Sequence, residues 1–414
     1  MIELRDYQIN IANRAADIIR AHGICYLTME VRVGKTLTAL QVATNLQAKE
    51  VLFVTKKKAI SSIDSDAVAF GCAFNMAIVN FEQLHKVQPG FDLVIIDEAH
   101  SIGAFPKPSA RAVELKRICK IDCHVLYLSG TPSPESYSQF FHQFAITIFS
   151  PWNNYTNFYK WAKDYVEVKT LHVYNREVKD YSNADEKKVL ADIEHLMISY
   201  TQSEAGFEQV VEDEVLTLPM PEKVKASIAL IKKDRVFTTK SGGVIMADTA
   251  VKMMQKVHQM CSGSVKDEEG NMHPFDDFKA RFIKEKFAGK KIAIFYKFIA
   301  EAVHITNVFG KENIAETPEE FNQADHLIYI SQIQSGREGI NLSTADALVM
   351  YNIDFSAVSY WQARARLQSK DRTEAAKVYW IMTDGGIEQK IFEVVQTKKD
   401  YTLKHFNKYA TQLQ

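Results

Sequence analysis

From about residue 20 to residue 130 the chain repeats one pattern. A short apolar run is followed by a longer stretch in which apolar residues return every three to four positions. Continuous apolar runs bounded by polar turns mark strands buried on both faces, and the three-to-four spacing marks helices packed against them. The pattern predicts strands at 24–29, 51–55, 76–80, 93–97 and 125–129, with helices at 36–47 and 109–118. Strand and helix in alternation imply a parallel α/β sheet, which binds ligands just beyond the carboxyl ends of its strands. The alternation stops near 146 and returns at 291, with strands predicted at 292–296, 327–331, 347–353 and 378–383.

Between the two α/β regions the character changes. Phe149, Trp152, Tyr155, Phe158, Tyr159, Trp161 and Tyr165 crowd an otherwise polar stretch. Packing of short connecting helices against a lobe is the favoured reading, and a stacking platform for bases is the other. Residues 185–280 read as mainly helical, broken by Gly242, Gly243 and a polar turn at 266–271. The expected organisation is a first lobe at 1–147, a helical, aromatic-rich connection at 148–184, and a second lobe with helical additions at 185–414.

Composition narrows the class. Of 414 residues, 46% are hydrophobic and 24% charged, as in globular proteins with sizeable cores. Lys plus Arg number 50 against 51 for Asp plus Glu, a net charge of −1, so coating nucleic acid by bulk positive charge is excluded. Phosphate contacts must come from local basic patches. The N-terminus carries no basic-then-apolar leader, and no run reaches the ~18 apolar residues of a membrane helix. A cytoplasmic protein without a membrane partner is expected. The five cysteines are spaced irregularly and read as reduced thiols; Cys119, Cys123 and His124 lack the second ligand pair of a structural zinc site.

The chemistry-bearing residues sit where the sheet would place them. Residues 29–36 (MEVRVGKT) follow a strand and open a helix, the context of a phosphate-binding loop. Backbone N–H groups at a helix start bind anionic oxygens; Lys35 adds a point charge for the β- and γ-phosphates, and Thr36 can hold Mg²⁺. Met29 takes the place of the usual leading glycine. The strand at 93–97 ends in Asp97 and Glu98, followed by Ala99 and His100. Adjacent carboxylates at the end of a buried strand are costly unless a cation is near. Asp97 is therefore read as a magnesium holder and Glu98 as the group that orients or deprotonates the attacking water.

Taken in order, these motifs resemble the superfamily 2 helicases and translocases of the DEAH-box kind, and among them the Swi/Snf-type DNA translocases and compact phage- or bacterium-encoded relatives. The matches run over nearly the whole chain. Arg5, Tyr7 and Gln8 resemble the N-terminal glutamine motif that reads adenine; Glu30 matches the acidic residue before the phosphate loop. Lys56, Lys57 and Lys58 after one strand, and Asn80, Phe81 and Glu82 after the next, resemble motifs that touch the DNA backbone. A lysine run by itself is usually a solvated turn. Ser129, Gly130 and Thr131 match the motif that couples hydrolysis to lobe movement. In the second lobe, Ser335, Arg337, Gly339 and Asn341 resemble the motif that senses ATP and grips DNA, and Gln362 through Arg366 resemble the last motif, which sends arginines to the γ-phosphate.

The resemblance implies two RecA-like P-loop lobes with parallel sheets, ATP and Mg²⁺ between them, and a monomer acting on duplex, forked or branched DNA rather than RNA. Its role would lie in replication, recombination or repair. Arg5, Gln8, Glu30, Val33, Gly34, Lys35, Thr36, Gly339 and Gln362 would bind the nucleotide; Thr36 and Asp97 the metal; Lys56, Lys57, Phe81, Ser335, Arg337 and Asn341 the nucleic acid. Lys35, Glu98, Arg366 and Arg372 would be catalytic, with Ser129 and Thr131 coupling. Two departures stand out. Ser369 holds the place of the second arginine, leaving Arg364, Lys370 and Arg372 as substitutes, and Arg32 stands where the Swi/Snf pattern has glycine. These departures raise the alternative of a DNA-binding protein with a weak or degenerate ATPase; an RNA helicase of the same superfamily is the other alternative.

Overall fold

The computed structural model describes residues 2–120, 123–173, 176–206, 211–239, 242–336, 342, 344–353, 364, 367 and 377–395. The chain forms two compact units that divide after Gly206. Both are α/β, each built on a six-stranded, wholly parallel sheet.

In the first unit the elements run α1 (Asp6–His22), β1 (Ile24–Met29), α2 (Lys35–Asn45), β2 (Glu50–Thr55), α3 (Ile60–Phe70), β3 (Asn75–Asn80) and β4 (Leu93–Asp97). They continue with α4 (Ala110–Ile118), β5 (His124–Leu128), α5 (Gln139–Phe144), α6 (Phe158–Tyr165), the hairpin β6 (Lys169–Val173) and β7 (Arg176–Asp180), α7 (Glu186–Ile193) and β8 (Met197–Tyr200). The sheet order is β3-β2-β4-β5-β1-β8. Every residue of β1 is buried, which is why its apolar run does not alternate. Its two hydroxyls are both partnered: that of Tyr26 donates to Gln143, and that of Thr28 lies 2.6 Å from the hydroxyl of Ser199 in β8. Helix α1 stops at Gly23, whose left-handed φ of 76° and lack of a side chain both matter; a Cβ there would lie 2.1 Å from the ring of Phe149.

The aromatic stretch belongs to this unit. Trp152, Phe158 and Trp161 are buried in the first core, Trp161 stacks on Tyr165 at 4.9 Å, and Asp192 of α7 accepts from both Trp152 Nε1 and the Tyr165 hydroxyl. These rings are packing rather than a platform for bases. The boundary expected at 185 accordingly moves to the end of residue 206, because β8 pairs in parallel with β1 and completes the first sheet.

The second unit runs β9 (Glu212–Leu218), α8 (Glu222–Asp234), the hairpin β10 (Val236–Thr238) and β11 (Val244–Met246), α9 (Ala250–Met260), the hairpin β12 (Ser264–Lys266) and β13 (Met272–Pro274), and α10 (Phe278–Lys286). It continues with β14 (Ile292–Tyr296), α11 (Ile299–Phe309), β15 (Ile314–Ala315), α12 (Pro318–Gln323), β16 (Ile328–Gln332), α13 (Ile333–Gly336), β17 (Ala347–Met350) and β18 (Lys377–Thr383). Its sheet order is β15-β16-β14-β17-β18-β9. Under this sheet Lys279 is fully buried and paired with Glu388 at 2.8 Å; its ammonium also donates to the carbonyls of Tyr351 and Ile381. Among the described residues no helix is long and apolar enough to cross a membrane, and no cluster of three metal-ligating side chains forms.

Candidate functional site

Because all six strands of the first sheet run the same way, the segments leaving their carboxyl ends gather at one edge. The phosphate loop follows β1, Lys56 and Lys57 follow β2, Phe81 follows β3, Asp97 ends β4, Ser129 follows β5, and Gln202 follows β8. The sequence placed these residues along the chain; the strand order makes neighbours of them.

The phosphate loop turns into α2 at Gly34, whose φ of 80° is left-handed. Its open hydrogen-bond geometry is stabilised from α1. The Gln8 amide donates to the Gly34 carbonyl at 3.2 Å and accepts from the Arg5 N–H at 3.0 Å, while the Tyr7 hydroxyl donates to the Val33 carbonyl. One N–H and one acceptor site of the Gln8 amide remain, the pair that an adenine edge requires. Arg5 donates to Tyr7, and Tyr7 stacks on Tyr200 with ring centres 4.6 Å apart. Lys35 reaches back across the loop to the carbonyls of Met29 and Glu30, at 3.1 and 3.0 Å. Arg32 adopts a φ of 64°, a conformation that glycine takes at little cost, which explains why the related pattern carries glycine there.

Glu30 points back toward β8. Its carboxylate accepts the Gln202 backbone N–H at 2.6 Å, and the Gln202 side chain donates to the Val31 carbonyl at 2.9 Å. Burial pushes the Glu30 carboxyl above its usual range, against the pull of the Gln202 N–H and of Lys35. Gln202 and Tyr200 went unnoticed in the sequence, since nothing local marks them; only the β1–β8 pairing brings them to the loop.

Asp97 sits between β2 and β5. The Thr55 hydroxyl donates to one carboxylate oxygen at 2.9 Å, and the Glu98 N–H donates to the other at 3.0 Å. Burial first, and the Glu98 carboxylate second, push Asp97 up to about 6, while Lys35 and Thr55 pull it down. Glu98 itself has a left-handed φ of 52°, a strained conformation for a residue with a side chain. That turn aims its carboxylate at His100, whose Nδ1 lies 3.3 Å from Glu98 Oε2 and 2.9 Å from the Ser129 hydroxyl. The same hydroxyl accepts the Thr131 N–H at 3.1 Å. A polar chain thus runs from Glu98 through His100 to Ser129 and Thr131. Gly130 lets that segment approach the phosphate loop closely: a Cβ there would be 3.2 Å from the Met29 carbonyl.

Phe81 departs from its expected role. Its ring is buried in the first core with the Arg111 guanidinium 4.9 Å above it, so it packs instead of meeting nucleic acid. Lys57 is exposed in the turn after β2, and Lys56 beside it is half-buried. In the second unit Ser335 falls in α13, directly after β16. Arg337, Gly339, Asn341, Gln362, Arg366 and Arg372 lie outside the described residues. Arg364, one of the substitute arginines, is engaged within its own unit, pairing with Asp213 at 3.2 Å and donating to the Val211 carbonyl.

No family model matches the chain. Segments of it are similar to curated proteins of one kind. A chromatin-remodeling ATPase INO80 of Cryptococcus neoformans is 32% identical over 76 residues, 18% of this chain and 4% of that protein. The CHD3-type chromatin-remodeling factor CHR7 of Arabidopsis thaliana is 28% identical over 75 residues, 18% of this chain and 6% of the relative. The ISWI chromatin-remodeling complex ATPase ISW1 of Saccharomyces cerevisiae is 29% identical over 95 residues, 22% of this chain and 8% of the relative. The chain thus spans less than a tenth of the length of each of these relatives, between 4% and 8%. Over those segments it is similar to the Swi/Snf-like ATPases that act in chromatin remodelling.

Proposed function

We propose that this protein is an ATP-dependent DNA translocase or helicase, a DNA-stimulated ATP hydrolase working on duplex, forked or branched DNA in replication, recombination or repair. The observation that carries the reading is the gathering of Lys35, Asp97, Glu98 and Ser129 at one sheet edge from three separate strands. The similarity of short segments to chromatin-remodeling ATPases supports it.

The residues present fit Mg²⁺ and ATP. The Lys35 ammonium rests on the carbonyls of Met29 and Glu30, and its charge pulls down both Glu30 and Asp97, so a cation stands beside the acidic residues at the sheet edge where phosphate oxygens would lie. Asp97 and Glu98 crowd two carboxyls whose mutual repulsion a cation would relieve. Thr36 and Asp97 would hold the metal, which supplies charge neutralisation at the phosphate oxygens when bound. Lys35 and the N–H groups opening α2 would hold the phosphates, and the free half of the Gln8 amide would meet the adenine. Glu98 would take the proton of the attacking water, with His100 fixing its carboxylate and passing its position to Ser129 and Thr131. Arg366 and Arg372 enter the proposal on the resemblance alone. Lys56 and Lys57 would contact the DNA backbone, making affinity fall with salt.

The test is ATP turnover measured without nucleic acid and with single-stranded, duplex, forked and four-way DNA, and with RNA. DNA is expected to raise turnover, and Glu98→Gln to lower it 100-fold or more, on the order of a general base's contribution, with nucleotide binding retained. Unstimulated turnover, or Glu98→Gln at the wild-type rate, would leave a DNA-binding protein with a degenerate ATPase. Stronger stimulation by RNA would replace the reading with an RNA helicase.

A further inference from the structure

The chain passes from the first unit to the second after Gly206, and on either side of that point it is tied to a motif of the nucleotide site. On the near side, β8 leaves the first sheet beside the phosphate loop. The Glu30 N–H donates to the Tyr200 carbonyl at 2.9 Å, the Gln202 N–H to the Glu30 carboxylate at 2.6 Å, and the Gln202 amide to the Val31 carbonyl at 2.9 Å. The middle bond is charge-assisted and correspondingly short. Residues 201–204 then close on themselves. The Thr201 N–H and hydroxyl both donate to the Glu204 carboxylate, at 2.6 and 2.7 Å, and the Glu204 N–H donates back to the Thr201 hydroxyl at 3.2 Å. With Tyr200 stacked on Tyr7, the turn is braced from two sides, so a shift of Glu30 or Val31 is carried into it.

On the far side, Val211 is buried in the second core and Asp213 lies in β9. The Arg364 guanidinium donates to the Val211 carbonyl and pairs with Asp213 at 3.2 Å, while the Trp380 indole N–H of β18 holds the same carboxylate at 3.0 Å. Both members of the ion pair are mostly withdrawn from solvent, so salt screens it little. Arg364 stands two residues after Gln362 and two before Arg366, in the stretch that resembles the last motif.

Neither anchor is needed to close a sheet. β8 pairs with β1 over Met197–Tyr200, ahead of Gln202, and β9 pairs with β18 over Glu212–Leu218 through its backbone. What the anchors add is a tie between the connection and residues adjacent to the phosphate-binding groups.

We infer that the connection is a transmission element, with Gln202 and Arg364 as its positioning residues. Nucleotide at the phosphate loop shifts Glu30 and Val31, Gln202 passes the shift into the turn at 201–204, and Arg364 takes it up beyond the crossing. The inference rests on the ATPase reading and adds to it a route within the chain. Such a route requires a nucleotide-dependent change at both of its ends.

Hydrogen exchange tests it. Wild type, Gln202→Ala and the double variant Arg364→Gln with Asp213→Asn, which removes the ion pair without stranding a charge, are followed with and without Mg²⁺ and a non-hydrolysable ATP analogue. The analogue is held at a concentration saturating for each protein. In wild type, nucleotide is expected to change exchange at 33–36, at 200–206 and at 211–213 by at least about five-fold, the low end of couplings between sites. Gln202→Ala should keep the change at 33–36 and lose it at 211–213. The double variant should keep it through 206 and lose it at 211–213. A residue that only stabilised the fold would, when replaced, raise exchange equally with and without nucleotide and leave the difference intact. A wild type that binds nucleotide without a change at 211–213, or a folded Gln202→Ala that keeps the change there, would overturn the inference and leave the ATPase reading standing. Should Gln202→Ala fail to fold, the double variant decides by the same criterion. A wild type that binds no nucleotide would sink the ATPase reading and this route with it.

Discussion

Replacing Asp97 by asparagine should make the nucleotide-free protein more stable while abolishing its magnesium-dependent affinity for nucleotide. The hydrogen bonds survive the change in principle: the asparagine oxygen can accept the Glu98 N–H, and its amide can donate to Thr55, whose hydroxyl then turns around. What disappears is the enclosed charge. Asp97 is raised from 3.8 to about 6, so it binds its proton more tightly in the folded chain than in the unfolded one. The folded state is therefore penalised as the carboxyl ionises: not at all below about pH 4, increasingly up to about pH 6, and by a constant amount above. At ~1.4 kcal/mol per pH unit the penalty is on the order of 2–3 kcal/mol at pH 8, or roughly 5–10 °C in the melting of a unit of this size. Scanning calorimetry of wild type and Asp97→Asn at pH 5 and pH 8, free of metal and nucleotide, reads this directly. Binding of a fluorescent ATP analogue with and without Mg²⁺ reads the other half. In wild type the proton competes with the metal, so the same affinity should drop about ten-fold between pH 8 and pH 5. An Asp97→Asn protein that melts below wild type at pH 8, or that keeps wild-type magnesium-dependent affinity, would refute this role for Asp97.

Three further outcomes follow from the geometry. Gly34→Ala puts a Cβ 2.2 Å from Gln8 Nε2 at a left-handed φ, and should cost the first unit about 1–2 kcal/mol in urea denaturation and loosen nucleotide binding. Lys279→Met strands Glu388 in the second core and should destabilise that unit by about 3–5 kcal/mol; adding Glu388→Leu should recover most of the loss. Ser129→Ala cuts the His100–Ser129–Thr131 chain, and is expected to leave nucleotide affinity within about two-fold while lowering DNA-stimulated turnover ten-fold or more.

The parts legible in the sequence are those whose signal is local. The apolar runs that became β1, β2, β4 and β5 are recognisable because both faces of each are buried, and the glycine, lysine and acidic residues lie directly at their ends. The helix after the phosphate loop begins at Lys35 instead of Thr36 and ends two residues earlier than expected, at Asn45. What sequence order hides is adjacency. Thr55 reaches Asp97 only because β2 and β4 are neighbours, and Gln202 reaches Glu30 only because β8 is placed beside β1. Both β8 and β9 are edge strands whose neighbours lie far away in the chain, and the two short hairpins of the second unit have strands of three residues each, too brief to show a period. Phe81 differs for a related reason: its position after a strand suggests the binding edge, while its ring is buried in the first core beneath Arg111 of α4.

The late arrival of β8 bears on how the protein is made. β1 is complete at Met29, but its outer neighbour begins at Met197, about 170 residues later in synthesis. At the ~5–20 residues per second of a ribosome, the outer edge of β1 waits roughly ten to thirty seconds for its partner. During that interval a largely apolar strand offers unpaired N–H and C=O groups, an adhesive surface for a nascent chain. The second unit repeats the problem in reverse, since β9 is made first and must wait for β18, which begins at Lys377. Both sheets therefore close last at a strand distant in sequence, and nascent chains halted before residue 197 should be the ones that chaperones hold longest.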